Sequence, residues 1–394
     1  MNSRNDSADL DARARAVVWK GGSEATRHPI LREVGLPQFL ERAGGSRIWD
    51  IDGKEYVDYL MAWGSALLGH CNPHVEQRVR TQLDKGSMFN LPVPDEVRLA
   101  ERLVAHLPSA DAVRFLASGS EATAAAVRVA RAATGRELIV QCGYHGWLDW
   151  CQADHPAGIL QGTLAKTISV PYDDLDALTR ILAAHPREVA ALILEPVKAH
   201  APAPDYFVRV HELLSTDGAL LIFDEVKTGF RFGLGGAQVH FGASPDISVF
   251  GKALANGYPL AAISAKASVF ARARDVWISG TYHGWPPALA AAHATLDQLE
   301  TLPVIEGIWR RGARLIEAID ELARRRGSSL RLRGFPPMPV LQASPGDEAH
   351  VTRFCAGMVA RGYFIHPLRP WFIADTHDDE IIERTVRDAE SVFA

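Results

Sequence analysis

Short, continuous apolar runs separated by helical stretches constrain this chain more than any other feature. "AVRFLAS" (112–118), "ELIVQC" (137–142), "VAALILEP" (189–196), "ALLIFDE" (219–225) and "DISVFGK" (246–252) read as strands. Between them lie the helical stretches 121–135, 173–186 and 205–218. A strand that is apolar on both sides must be covered on both faces. The pattern therefore predicts an α/β fold with a mostly parallel sheet between helix layers. Residues 44–60 read as a hairpin turning at Asp52-Gly53, a favoured turn dipeptide. The stretch from about 75 to 107 is helical and broken by "NLPVP". After about 286 come helices, two short strands ("MPVLQAS" and "FIHPLRPWFIA") and a last helix. The expected division is a large domain over 59–286, a smaller α+β domain over 287–394, and a segment 1–58 that joins the smaller one. The first ten or so residues read as a frayed tail, followed by a short helix.

Bulk composition excludes several roles. Of 394 residues, 47% are hydrophobic and 23% charged, and the net charge of −5 comes with no long basic run. Nothing favours nucleic acid or a membrane surface as partner. No apolar stretch approaches the roughly 20 residues of a membrane span, and the N-terminus lacks the apolar centre of a signal peptide. The four cysteines form no CxxC pair, which argues against a zinc site or disulfide framework and for a reducing cytoplasmic setting. No metal is expected.

In a parallel α/β sheet, ligands bind beyond the carboxyl ends of the strands. Those ends deliver Ser118, Gly119 and Ser120; then Tyr144 and His145; then Glu195, Asp224 and Lys252. Ser118 and Glu121 have capping-box spacing, and a helix N-terminus behind a glycine favours a phosphate. Asp224 is a charge at the end of a buried run and needs a partner. Lys252 follows an apolar strand between Gly251 and Ala253, in a chain with only eight lysines. Each has a plain alternative: an ordinary capping box, a structural ion pair, a lysine whose stem packs while its ammonium reaches solvent. Together they make a phosphate turn, an acid for a ring nitrogen and a Schiff-base lysine, the parts of a pyridoxal phosphate site.

At this point the chain resembles the class III aminotransferases of PLP-dependent fold type I, in the branch of glutamate-1-semialdehyde aminomutase. The resemblance rests on "FLASGSEATAAAVRVARAATGRE", "GYHGWLDW", "LILEPV", the long stretch 218–262 and "SGTYHGWPPALAAAHATLDQLE". "YLMAWGSALLGHCNP" and "FIADTHDDEIIERT" extend it to nearly the whole chain. It implies Lys252 as the Schiff-base lysine and proton shuttle, and Asp224 as partner of the pyridinium nitrogen. Val226 and Tyr144 would flank the ring, with His145 beside Tyr144. Gly119 and Ser120 would hold the phosphate, and Glu195 would sit near the ring hydroxyl. Thr281 would reach the phosphate of a neighbouring subunit, which implies a homodimer with shared sites. Trp63 matches an aromatic that lines the substrate pocket. Arg27 and Arg369 are the two arginines that could hold a substrate anion; for both the alternative is a surface salt bridge.

The chain departs from the family at several points. Ser118-Gly119-Ser120 replaces Ser-Gly-Thr, Trp285 replaces an asparagine, and Lys198 stands where small residues are common. The stretch 270–280 is short and lacks the Gly-rich gating segment of the aminomutase. These features predict an aminotransferase moving an amino group from an amino acid to a keto or aldehyde acceptor. An aminomutase or epimerase on the same cofactor is the alternative. A nicotinamide oxidoreductase would need G-x-G-x-x-G after a first strand, and "GLGGAQ" (233–238) has the wrong pattern and place. A cofactor-free scaffold would not need the Lys252–Asp224 pair.

Overall fold

The computed structural model describes residues 7–393. The first six residues of the expected tail lie outside the described residues, and the helix that follows begins already at Ser7 and runs to Val17. The strands, in chain order, are β1 Leu40–Gly44, β2 Arg47–Asp50, β3 Glu55–Asp58, β4 Ala112–Leu116, β5 Leu138–Cys142, β6 Thr167–Ser169, β7 Val189–Leu194, β8 Leu220–Asp224, β9 Ile247–Phe250, β10 Ala261–Ala265, β11 Arg331–Arg333, β12 Val340–Gln342 and β13 Tyr363–Phe364. Two compact units emerge. One is Pro73–Ile305; the other joins the chain through Asn72 to the chain from Glu306. The boundaries thus fall at 72/73 and 305/306, later than the sequence suggested at both points. The reason is the helix Pro286–Thr301, which packs against the helix Pro73–Leu83 inside the large unit.

The large unit is built on a seven-stranded sheet of order β4-β10-β9-β8-β7-β5-β6. Strands β5 to β9 pair in parallel, while β10 runs antiparallel to both β4 and β9. Neither β6 nor β10 was foreseen. The first has three residues, and "AAISA" carries little β-branched signal. Alternation explains the continuous apolar runs. Ile139, Ile193, Ile222 and Val249 face the helix Gly119–Thr134, joined there by Ala122, Ala126 and Val129. Val140, Leu192, Leu221 and Phe223 face the helices Leu175–Ala184 and Tyr206–Asp217 through Leu178, Phe207 and Val210. Truncating one of these side chains to alanine would cost about 2–5 kcal/mol. The parallel register pairs Cys142 with Leu194, Leu194 with Phe223, and Asp224 with Val249. The carboxyl ends of β5, β7, β8 and β9 are therefore level, and the loops that leave them share one edge.

The second unit carries the sheet β1-β2-β3-β13 and the ribbon β11-β12. The β2–β3 hairpin turns at Gly53, whose φ of +83° suits glycine, and the Asp50 carboxylate accepts from the backbone N–H groups of Asp52 and Lys54. Of the expected strand "FIHPLRPWFIA", only its first residue, Phe364, pairs, as the end of β13 opposite Asp58 of β3. Pro367 and Pro370 cannot donate to a ladder, and the rest is irregular. Tyr59 lies fully buried here, its hydroxyl 2.7 Å from the Thr385 hydroxyl and its ring stacked on His377 at 4.6 Å. Among the described residues no helix is long and apolar enough to cross a membrane, and no cluster of side chains could hold a metal ion.

Candidate active site

The turn after β4 keeps its expected capping serine. Ser118 is extended (φ −142°) and its hydroxyl accepts from the Glu121 N–H at 3.3 Å. The same hydroxyl donates to the Glu121 carboxylate at 2.8 Å, so the reciprocal half of the box closes on the side chain. The first N–H groups of the helix Gly119–Thr134 have no partner inside the helix. They form a donor set aimed out of its N-terminus. The Thr123 hydroxyl lies 2.6 Å from the His145 carbonyl and ties this turn to the loop after β5. The approach depends on Gly146, where a Cβ would fall 2.4 Å from the Ser120 hydroxyl.

Asp224 ends β8 and is buried, with 4% of its surface exposed. One carboxylate oxygen accepts from the Val226 N–H at 3.1 Å, and the other lies 2.7 Å from Nδ1 of His145. His145 is itself buried and stacks parallel to Trp150, with centroids 6.1 Å apart. The Val226 side chain is wedged between two glycines. A Cβ on Gly119 would come within 3.1 Å of it and one on Gly251 within 3.5 Å.

Lys252 follows the extended Gly251 and opens the short 3-10 turn Lys252–Ala255. Its own φ is +48°, a left-handed conformation that a lysine adopts at a cost. The side chain is half-buried, and its proton affinity drops from the ordinary 10.5 to about 8. Burial is the largest cause. The Lys227 ammonium adds to it and Arg231 contributes less, while Glu195 and Asp224 oppose.

Glu195, just beyond β7, is held between two ammonium groups. Lys227 Nζ lies 2.7 Å from one oxygen and Lys198 bonds the other. Burial pushes its proton affinity up, but the two lysines outweigh burial and hold it far below the ordinary carboxylate range. The Tyr144 N–H also donates to Glu195, at 3.2 Å. Gly143 (φ +128°) permits this, since a Cβ there would meet the carboxylate at 2.6 Å. Tyr144 is 65% exposed.

The neighbouring Glu225 is fully buried and accepts from the Thr228 hydroxyl and the N–H groups of Ala237 and Gln238. Burial raises it to about 7. Four members of this assembly were not read from the sequence as site residues: Lys198, Lys227, Arg231 and Glu225. The last three stand in "DEVKTGFR", where a lysine and an arginine among apolar residues were the available signal.

The remaining expected residues are more dispersed. Thr281 is exposed, in a turn closed by the His283 N–H on the Gly280 carbonyl. In the same chain, the His283 ring lies 3.5 Å from the Glu121 carboxylate. Trp285 precedes the helix Pro286–Thr301 and is half-buried. In the other unit, the half-buried Trp63 ring is tilted against His366 at 5.8 Å. Arg27 bonds the Gly21 carbonyl at 2.7 Å and Asp11 at 3.2 Å and lies over the Phe39 ring, which is the salt-bridge alternative. Arg369 is exposed, and among the described residues its guanidinium has no carboxylate partner.

In the large unit, a helix N-terminus, a buried carboxylate, a lysine of depressed proton affinity and a glycine-lined slot around Val226 converge on one edge. This donor set fits a phosphorylated cofactor with a basic ring nitrogen and a carbonyl.

Comparison with known proteins agrees. The chain matches the family model described as Aminotransferase class-III over residues 31–387. It is 34% identical over 417 aligned residues to the glutamate-1-semialdehyde 2,1-aminomutase of Roseiflexus castenholzii (strain DSM 13941 / HLO8), covering 97% of this chain and 96% of that protein. Its fold matches the FumI protein of Sphingopyxis sp. MTA144, solved in its PLP internal aldimine form, with a TM-score of 0.92 and 30% identity over 98% of this chain and 95% of the other. It also matches an omega-transaminase from Sphaerobacter thermophilus, with a TM-score of 0.91 and 26% identity over 98% and 97% of the two chains. The chain belongs to the class III aminotransferase family, whose enzymes work with pyridoxal phosphate.

Proposed function

We propose that this enzyme takes an amino group from an amino acid donor and passes it to a separate keto or aldehyde acceptor. The two substrates alternate at one site in a ping-pong cycle. Pyridoxal phosphate bound here supplies a carbonyl that condenses with amines and a ring that withdraws electrons from the substrate carbon. The chain's own residues do the rest. The N–H groups of the turn Ser118–Ser120, with the Ser120 hydroxyl, bind the phosphate dianion. Asp224 holds a proton on the ring nitrogen, and His145 fixes the carboxylate that does so. Val226 and Tyr144 would flank the ring. Glu195, kept ionised by Lys198 and Lys227, would line the side of the ring hydroxyl. Lys252 would hold the cofactor carbonyl, and its Nζ could give and take a proton at the substrate carbon.

The observation that carries the intermolecular reading is the segment 270–280. It leaves the short helix Ala267–Arg272 and contains one glycine, Gly280. A gate that retains a half-converted substrate would need a longer, more flexible segment. The second reading, an aminomutase, is favoured by the name of the Roseiflexus relative. Single-turnover spectra separate the two. With one equivalent of amino donor, a transferase releases keto product and remains in its amino-loaded form. An enzyme that returns to its starting spectrum and releases an isomer of the donor would refute the proposal.

The same reading extends to assembly and anchoring. The enzyme acts as a homodimer in which Thr281 serves the phosphate site of the partner. Arg369, rather than the locally engaged Arg27, meets a substrate carboxylate, and Trp63 lines the pocket.

A further inference from the structure

Met61, Ala62, Trp63 and Gly64 all lie in the left-handed region, with φ of 45°, 49°, 60° and 83°. They form one turn of left-handed helix, closed by the Gly64 N–H on the Leu60 carbonyl at 3.0 Å and the Ala66 N–H on the Met61 carbonyl at 3.2 Å. L side chains disfavour this conformation, and only Gly64 suits it by its own chemistry. The turn persists because both its ends are clamped. At its start, one oxygen of the buried Asp58 accepts from the N–H groups of Leu60 at 2.8 Å and Met61 at 2.9 Å. The other oxygen lies 2.9 Å from Nε2 of His70, and the Asp58 carbonyl is 3.0 Å from Nε2 of His377. At its end, Gly64 sits on the Phe372 ring so closely that a Cβ would fall 2.5 Å from it. Met61 is fully buried and anchors the turn, whereas Ala62 is exposed. Trp63 is carried between these clamps with its ring against His366.

A sequence under selection for stability alone has an easy escape here. Glycine at 62 would relieve strain at an exposed position without opening a cavity. Alanine instead narrows the backbone's freedom right beside the indole. We propose that Asp58 is a positioning residue, which through this strained turn fixes the Trp63 indole as a rigid wall that selects substrates by their apolar bulk. The proposal rests on the reading that Trp63 lines the substrate pocket.

The test uses the holoenzyme and two probes with the same nucleophilic nitrogen, methoxyamine and O-benzylhydroxylamine. Both consume the visible band of the bound cofactor, and the ratio of their second-order rate constants reports the wall independently of the natural substrate. Trp63→Ala should change that ratio by about tenfold. Ala62→Gly and Asp58→Ala should change it in the same direction by about threefold or more. Ala62→Gly should also raise Tm by about one to two degrees, because it relieves strain. Asp58→Asn keeps an acceptor oxygen for the two N–H groups and should stay within about twofold of the parent ratio. If Ala62→Gly raises Tm and leaves the ratio alone, the strain has no positioning role and the proposal fails. It fails equally if Ala62→Gly lowers Tm. Should Asp58→Ala not fold, Asp58→Asn and Ala62→Gly still decide. An unchanged ratio in Trp63→Ala overturns the reading of Trp63 itself, and the proposal with it.

Discussion

Removing the Lys227 ammonium should slow the enzyme's capture of its own cofactor at neutral pH. Lys252 is drawn down from 10.5 to about 8, by burial first and by Lys227 next. At pH 7.5 an amine of pKa about 8 is uncharged in roughly one molecule in four, whereas at 10.5 it would be about one in a thousand. The surroundings therefore raise the reactive population roughly 250-fold. Capture of added pyridoxal phosphate by the cofactor-free enzyme should climb through about pH 8 with the slope of a single proton. Lys227→Met acts twice in the same direction. It deletes a repelling charge, and it leaves Glu195 with Lys198 as its one remaining lysine, so the carboxylate attracts the Lys252 ammonium more strongly. Burial, the largest cause, is untouched, so the midpoint should rise by about one unit. At pH 7.5 capture should then slow roughly eightfold, and at about pH 10 the two proteins should converge. Stopped-flow growth of the visible band measures this. A midpoint that stays put or falls in Lys227→Met, or a parent profile flat from about pH 7 to 9, would refute the electrostatic account of Lys252.

Asp224→Asn should retain the cofactor and lose about three orders of magnitude in turnover, since a neutral amide cannot hold the ring proton; near-normal turnover would reassign the carboxylate. Mixing an inactive Lys252→Ala chain with an inactive Thr281→Ala chain should restore roughly a quarter of parent activity once subunits exchange, because one site in each mixed dimer then carries neither lesion. A mixture that demonstrably exchanges and stays inactive would place Thr281 within its own chain, where the nearby His283 meets Glu121. Glu225 is raised by burial from 4.5 to about 7, so its contribution to stability is full below about pH 4.5 and is lost as pH rises through about 7. Urea midpoints for Glu225→Gln should lack this downward slope between about pH 5 and 7, and an equal slope in both proteins would rule Glu225 out as its source.

What could be read from the sequence was local or periodic. The apolar runs announced strands covered on both faces because alternate residues feed two helix layers. The Ser118–Glu121 cap spans three residues and depends on little else. Pairing across the sheet was another matter. His145 meets Asp224 from 79 residues away and Lys227 meets Glu195 from 32, and both contacts exist only because the parallel register levels the ends of β5, β7 and β8. Arg27 illustrates the same limit. Its partner Asp11 lies in a helix 16 residues upstream, and no spacing in the sequence links them. β10 escaped because alanine and serine carry almost no strand signal, though pairing on both sides makes it a full member of the sheet.

At two positions backbone strain fits an identity set by chemistry rather than by packing, whereas at the fully buried Met61 and Phe230 packing sets it. A non-glycine residue in the left-handed region costs about 1–2 kcal/mol. Asp173 (φ 61°) and Asn256 (φ 45°) adopt it cheaply, because short polar side chains tolerate it. Lys252 has no such excuse. Glycine would relax its φ of 48°, but glycine has no amine to offer the cofactor. On the proposed reading, the position after β9 needs a backbone bend and a reactive nitrogen at once, and the strain follows from both demands falling on one residue. Trp63 meets the same conflict in the other unit, where a bulky indole occupies a conformation that its neighbour Gly64 fills without penalty. A chain shaped only for stability would move its glycines onto such positions. This one keeps Lys252 and Trp63 at two such positions, which the roles proposed for them would explain.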